Sequence, residues 1–557
     1  MKRKIFMAAA ALLATASQAQ ETYQSAQLAD NDLNGTARYI GMGGAMEALG
    51  ADISTIGSNP AGIAMFRKSS VNTSFGLVAQ EDAKKFDGAK STNMSFDQAG
   101  FVYSMHSGRN SFVNFAFNYH KSKNFDQILS AAGSLSGASQ NKLSYLKGAE
   151  GVYDAVRYGH ADNNGYFTES TVGSGNGAWL GVNQYGNNYY ESMAYSQLDY
   201  LYYNTLLVDN SDASVYYNDA NAYGMNRYSN GYIGEYDFNI SANISDRFYI
   251  GITCGLHDVH YNDRSVYSEQ LVDANGNISG TVAVSDDRRI TGNGVDAKLG
   301  IIVRPVATSP FRVGLYVHTP TWYSLTTSNY TRLSYAPTAN AGGTTTEYAA
   351  QGSINESYDF KLYTPWKFGL SLGHTVGNYL ALGATYEWAD YSTLDNRIND
   401  GGYYDDWGSY YETSSSDKAM KSNTKASLRG VSTLKLGAEF KPAPEWSVRL
   451  GYNYVSPMYK KDGFKDGTVE SYGTYYSSTT DYTNWKATNR FTVGAGYAHK
   501  GFSIDLAYQY SQTNGDFYPF MNYYAGTNED QSLNNIAQSS EVKYKRNQLV
   551  LTLGYKF

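Results

Sequence analysis

Few residues in this chain are placed to do chemistry. Eight histidines are scattered over 557 residues. The closest pair, His257 and His260, stands in an alternating stretch where three positions reverse the side of a strand, so no metal site is expected there. The acidic stretch DGGYYDDWGSYYE, Asp400 to Glu412, gathers carboxylates of the kind that hold Ca²⁺. It lacks ordered ligand spacing and reads as a solvated loop. No signature pairs a nucleophile with a base, so neither catalysis nor a cofactor is expected. Gly41-x-Gly43 has Met46 where a dinucleotide loop needs its third glycine, and no buried strand precedes it. The remaining chemistry is conformational and binding chemistry. In Asn59-Pro60-Ala61 a capping side chain precedes a residue of fixed φ and then a small one. Such a step starts a short helix and holds one conformation, which makes these three the candidate gate. Asn114, Asn118, Lys435 and Arg449 fall on the polar faces of their strands and are the candidate contacts in an enclosed lumen. Glu235, Asp237, Lys298, Arg304, Arg312, Lys367 and Glu439 share those faces, and most are expected in structural ion pairs.

The elements that position these residues are of two kinds. Gly35 to Phe66, GTARYIGMGGAMEALGADISTIGSNPAGIAMF, alone lacks strand character. Its glycines among alanines and methionines suit tight turns and close backbone approach in a confined space. A compact, kinked insert is predicted, with a short helix running from Pro60 towards Met65.

Nearly everything after it alternates. Val71, Thr73, Phe75 and Leu77 oppose Asn72, Ser74 and Gly76, and Val113, Phe115, Phe117 and Tyr119 oppose Asn114, Ala116, Asn118 and His120. The pattern recurs in Gly231–Ile244, in the stretch from Phe248 to Leu256, and in Val295–Arg304, Phe311–Ser324, Tyr358–Leu372 and Tyr379–Tyr391. It continues in Val431–Phe440, Trp446–Val455, Phe491–Ala498, Phe502–Thr513 and the final QLVLTLGYKF. With Ser69–Gln80 and Ser95–Met105 the count is about fourteen. Every second connection is short, and the others are long, polar and rich in Tyr and Gly. An all-β transmembrane antiparallel barrel is predicted, with an N-terminal plug in its lumen. Cys254, the only cysteine, falls on the lipid face. A stretch from 122 to 230 changes period: Leu143, Leu146, Ala149, Val152 and Val156 form one stripe and Leu198, Leu201, Tyr202, Thr205 and Leu206 another. Two packed helices in an extracellular insert are predicted.

Composition agrees. Tyr 53 and Gly 55 stand against Pro 10, with a mean hydropathy of -0.46, and no apolar run beyond the first residues approaches the ~18 needed for a spanning helix. Lys2, Arg3 and Lys4 precede an apolar run, Ile5 to Ala14, and then small residues, which reads as a signal peptide over 1–19 with cleavage favoured after Ala19 over Ala16. Removing its three positive charges takes the net charge from -7 to -7 - 3 = -10. An acidic chain without a basic patch excludes nucleic acid as a partner. The expected organisation is plug over 20–68 and barrel over 69–557.

The segment GMGGAMEALGADISTIGSNPAG, Gly41 to Gly62, together with about fourteen strands, resembles the FadL/TodX family of outer-membrane transporters for hydrophobic compounds. The resemblance implies a hatch that plugs the barrel, with Asn59, Pro60 and Ala61 at its step. It also implies passive uptake of hydrophobic small molecules, long-chain fatty acids first, past that hatch. A surface-displayed recognition or adhesion barrel is the alternative. The implied location is the bacterial outer membrane, in contact with its lipid and lipopolysaccharide. The C-terminal strand, ending on Phe557, resembles the one read by the barrel assembly machinery, and a monomer is expected. Two departures stand out. The family's side opening goes with a glycine-containing, kinked third strand, and Ser111 to Lys121 contains no glycine. The 122–230 insert also makes the chain longer than the usual member.

Overall fold

A computed structural model describes residues 21–147, 197–207, 216–337, 350–465, 478–523 and 534–557, with four short strands between 161 and 191. The expected leader over 1–19 lies outside them, as do Ala149, Val152 and Val156.

Fourteen wall strands form one closed antiparallel sheet. They are β1 (Ser70–Gln80), β2 (Thr92–Gly108), β3 (Ser111–Asn124, resuming as Gln127–Ala138), β4 (Asp219–Ile244), β5 (Phe248–Val272) and β6 (Ile278–Val303). Next come β7 (Arg312–His318, resuming as Trp322–Pro337), β8 (Ala350–Tyr363, resuming as Lys367–Val376) and β9 (Leu380–Asp390, resuming as Asp395–Tyr404). The circuit ends with β10 (Gly430–Ala443), β11 (Trp446–Val455), β12 (Tyr482–His499), β13 (Phe502–Tyr518) and β14 (Ser540–Lys556). β14 returns to β1 in register Ser70↔Lys556 through Gln80↔Arg546, so the wall has no free edge in lipid.

The long strands carry two opposite alternations. In the lower part of β5 and β6, Phe248, Ile250, Ile252, Leu256, Val295, Leu299 and Ile301 face out, and Thr253, His257, Asp296 and Lys298 are buried inside. That is the signature of a lipid-facing wall around a polar lumen. Higher up the polarity reverses. Val259, Tyr261, Tyr267, Leu271, Val282, Val284 and Ile290 are buried inside, and Asp258, His260, Arg264 and Asp287 are outside. The strands therefore continue beyond the bilayer as a water-soluble tube with an apolar core.

Several strands break near this transition. Phe311–Ser324 and Tyr358–Leu372 read as continuous strands in sequence, but each is interrupted, at Pro320 and at Pro365, because proline has no amide to donate to the ladder. The two breaks are spliced together: the Thr321 amide donates to Thr364 Oγ1 at 2.8 Å and the Thr364 amide to Thr321 O at 3.2 Å. β3 breaks at Phe125 and Asp126, just beyond the glycine-free stretch. Its pairing to β2 ends at Gln98↔His120. The seam above is bridged by Lys121 Nζ to Ser95 Oγ at 2.9 Å and by Asn34 Nδ2 to Asp97 Oδ1 and Lys121 O, at 3.2 and 3.1 Å.

The 122–230 stretch is not all insert: strand pairing continues to Ala138 and resumes at Asp219. The sequence hides this because outward residues above the bilayer need not be apolar. Ahead of the helix at Gln140–Lys147, two short helices stand in the N-terminal segment, α1 (Thr22–Ala29) and α2 (Ala37–Gly41). Numbered in chain order, Gln140–Lys147 is α3 and Gln197–Tyr202 is α4. Leu143 of α3 and Leu198, Leu201 and Tyr202 of α4 join the interior core that also holds Tyr23 and Leu28. The helices thus cap the tube from within. Glu269 fixes the start of α3, accepting from the Gln140 amide at 2.7 Å and from Tyr267 OH at 2.6 Å, and burial pushes its carboxyl up to about 7.

Candidate functional site

Residues 21–66 lie in the lumen, most of them buried against the inner faces of the strands. α1 and α2 lead into two short 3₁₀ helices, Ile53–Gly57 and Pro60–Met65. The second begins as the sequence predicts: Asn59 Oδ1 accepts from the Ala61 amide at 3.2 Å, with Pro60 in the first helical position.

The plug touches the wall through glycines on both sides. Gly373↔Gly383, Gly383↔Gly437 and Gly437↔Gly451 are direct cross-strand partners, and so are Gly251 and Gly300. A Cβ at Gly383 would stand 1.9 Å from Ala45 O, at Gly437 2.3 Å from Met42 O, and at Gly451 2.1 Å from the Gly43 amide nitrogen. Across the lumen, a Cβ at Gly251 would meet Pro60 O at 2.4 Å, and one at Gly300 would meet Asn59 Oδ1 at 2.0 Å. The wall is therefore bare backbone where the plug backbone rests on it, and the close-approach chemistry read for Gly35–Phe66 is shared by both partners.

Polar side chains complete the seat. Glu47, fully buried, accepts from Lys435 Nζ at 2.7 Å, Thr385 Oγ1 at 2.7 Å and Tyr39 OH at 3.2 Å. Arg38 donates to both oxygens of Glu439, and Arg449 joins Glu439 and Asp505, each at 2.7 Å. Asn114 Nδ2 donates to Ile63 O at 2.6 Å and Phe66 O at 3.0 Å, and Asn118 Oδ1 accepts from Gln98 Nε2 at 2.7 Å. Of the four candidate lumen contacts, then, Lys435 and Asn114 hold the plug directly. Arg449 shares Glu439 with the plug's Arg38, and Asn118 braces the wall. His318 Nε2 lies 2.6 Å from Ser58 O, beside the Asn59 step.

Above the plug, between α1 and the wall, is a cavity of about 240 Å³. Its apolar lining includes Tyr23, Ala26, Phe125, Leu129, Val455 and Met458. Five of its cationic side chains, Lys123, Arg227, Arg288, Lys486 and Arg546, each have a carboxylate within 4.0 Å. Arg490 has none among the described residues: it is buried and donates to Asn453 Oδ1 at 2.9 Å. Sequence reasoning missed Arg490, because its lack of a partner depends on which residues face it from other strands.

A second, more polar cavity, about 140 Å³, reaches Gly57 and Ser58 of the plug. His257 lines it, whereas His260 faces outward beside Asp258, so the two histidines lie on opposite faces as their spacing requires. The register brings together what the sequence kept apart: Glu235 is opposite His257 on β5 and opposite His120 on β3. Inner-face parity marked each residue but could not align the strands.

A closed, even-numbered antiparallel barrel with an apolar outer band and a lumen occupied by its own N-terminal segment is a plugged barrel of the bacterial outer-membrane type. No protein-family model and no curated protein sequence matches the chain. Among solved structures it is similar to the toluene transporter TbuX of Ralstonia pickettii, at 12% identity and a TM-score of 0.45, over 94% of this chain and 99% of that one. A FadL homologue of Pseudomonas aeruginosa aligns at 11% identity and a TM-score of 0.44, over 95% and 100% of the two chains. Likeness at this level decides nothing about what the barrel carries.

Proposed function

We propose that this barrel takes up hydrophobic small molecules passively past a mobile plug, and that the first ligand to try is a long-chain fatty acid. The observation that carries the finer reading is Arg490, a buried guanidinium with no carboxylate within 4.0 Å among the described residues, on the wall of a cavity lined by both apolar and charged side chains. An acyl chain gains about 0.8 kcal/mol per CH₂ buried against the apolar side chains, and a carboxylate head gives the guanidinium a direct anionic partner. Arg490→Gln should therefore weaken palmitate binding about tenfold or more and leave the binding of an uncharged alkane unchanged. Native mass spectrometry of the detergent-purified protein with each ligand reads both. Equal palmitate binding by the variant would remove Arg490 from the site, and a barrel that binds neither ligand would favour a display function.

The gate in this proposal is Asn59-Pro60-Ala61. Asn59→Ala removes a cap worth roughly 0.5–2 kcal/mol, enough to shift a closed-to-open plug equilibrium several-fold without unfolding the barrel. Fatty acid uptake by cells should change in Asn59→Ala and stay unchanged in Ser58→Ala, with heat-modifiable gel mobility normal in both. Identical uptake in the two variants would leave the plug a passive stopper.

A further inference from the structure

Three carboxylates, one lysine and two histidines meet inside the lumen where β3, β4, β5 and β6 adjoin. Lys298 Nζ binds Glu235 Oε1, Asp237 Oδ1 at 3.0 Å and Asp296 Oδ1 at 2.9 Å. Gly255 makes the room: a Cβ there would stand 2.4 Å from Asp296 Oδ1 and 2.8 Å from Lys298 Nζ. All four charged groups are buried. One ammonium offsets only one of three carboxylates, so the balance must come from protons on the histidines or carboxyls or from a bound cation, because uncompensated buried charge is costly.

The lysine uses one oxygen of each carboxylate and leaves the other. Among the described residues Asp237 Oδ2 has no hydrogen-bond partner, and its side chain is fully buried. It lies 3.5 Å from His120 Nδ1, and Glu235 Oε2 lies 3.6 Å from His120 Nε2. These gaps are too long for good hydrogen bonds. A single ion can fill only one of them, because the two ring nitrogens point their lone pairs apart; either gap suits atoms bridged by an ion, since two legs of about 2.1 Å at a tetrahedral angle hold their ends roughly 3.4 Å apart. One ligand atom from each of His120, Glu235 and Asp237 can be chosen so that all lie within 4.8 Å of one another. The polar cavity alongside leaves a way in and a place for water.

We propose that His120, Glu235 and Asp237 bind a divalent transition-metal ion of the zinc class, with Lys298 holding the two carboxylates in place from behind. One imidazole with two carboxylates suits zinc better than calcium. A divalent ion also supplies positive charge that the single ammonium of Lys298 does not. The site adjoins the plug, because a Cβ at Gly57 would lie 3.0 Å from His120 Cε1 and 3.3 Å from Asp237 Oδ2.

The test is Zn²⁺ titration of the chelator-stripped, full-length protein in detergent, followed by competition with a chromogenic chelator and by elemental analysis after gel filtration. One tightly held Zn²⁺ per barrel is expected in the wild type and in His260→Ala, whose ring faces outward. His120→Ala and Asp237→Asn should each lose at least tenfold in affinity while keeping folded gel mobility. X-ray absorption of the zinc-loaded wild type, which needs no variant to fold, should show only N/O ligands with a single imidazole. Absence of saturable binding, equal affinity in His120→Ala, or a first shell without imidazole would overturn the assignment.

Discussion

Glu47→Ala is expected to open the lumen to ions without unfolding the barrel. The substitution leaves the Lys435 ammonium with Glu387 at 4.0 Å as its nearest carboxylate, and it strands the hydroxyls of Thr385 and Tyr39. Removing one partner of a buried ion pair costs about 3–5 kcal/mol because the other charge stays buried and uncompensated. The pair spans plug and wall, so the loss falls on the seated plug, while the hydrogen-bonded circuit of the wall is untouched. Planar-bilayer recordings should show openings that the wild type lacks. Lys435→Met in the same chain should suppress them by removing the orphaned charge. A quiet trace from correctly folded Glu47→Ala would mean that the glycine seat alone holds the plug.

The second large effect is expected from a single methyl group. In Gly437→Ala the new carbon would lie 2.3 Å from Met42 O and 3.0 Å from Met42 C, so no flexible side chain can give way and backbone must move. Its neighbours Gly383 and Gly451 are equally tight against Ala45 and Gly43. Overpacking ordinarily costs about 1–3 kcal/mol, and a backbone-to-backbone clash belongs at the upper end or beyond. Amide exchange over residues 37–50 should accelerate at least tenfold in Gly437→Ala. It should not change in Gly108→Ala, where the nearest atom would be 3.6 Å away. Unchanged exchange in Gly437→Ala would show that the wall yields instead of the plug.

The strand count and the inward or outward sense of most side chains were legible, because a lipid-facing wall imposes strict alternation on every strand. The Asn59 cap was legible too, since a cap is a local matter. Above the bilayer the rule inverts: Val282, Val284 and Ile290 turn inward while Arg289 faces water, so a search for apolar outer faces stops at Val295. The proline breaks at 320 and 365 carried a visible signal that the alternation around them outweighed. Arg490 and the His120 cluster were not legible, since both depend on register among strands far apart in sequence.

The length of β4, β5 and β6 sets where the entrance stands. Each has 25 or 26 residues. At about 3.3 Å per residue and a tilt of roughly 40°, they rise to a height of about 65 Å, roughly twice the ~30 Å hydrocarbon thickness. The rim therefore stands well above the lipid headgroups, and in the outer leaflet expected here it would be level with the hydrated sugars of lipopolysaccharide. Under the proposed uptake, an oily solute entering there need not partition through that carbohydrate layer. It would leave water once, at the rim of a protein chimney, and the rest of its descent would be lined by side chains.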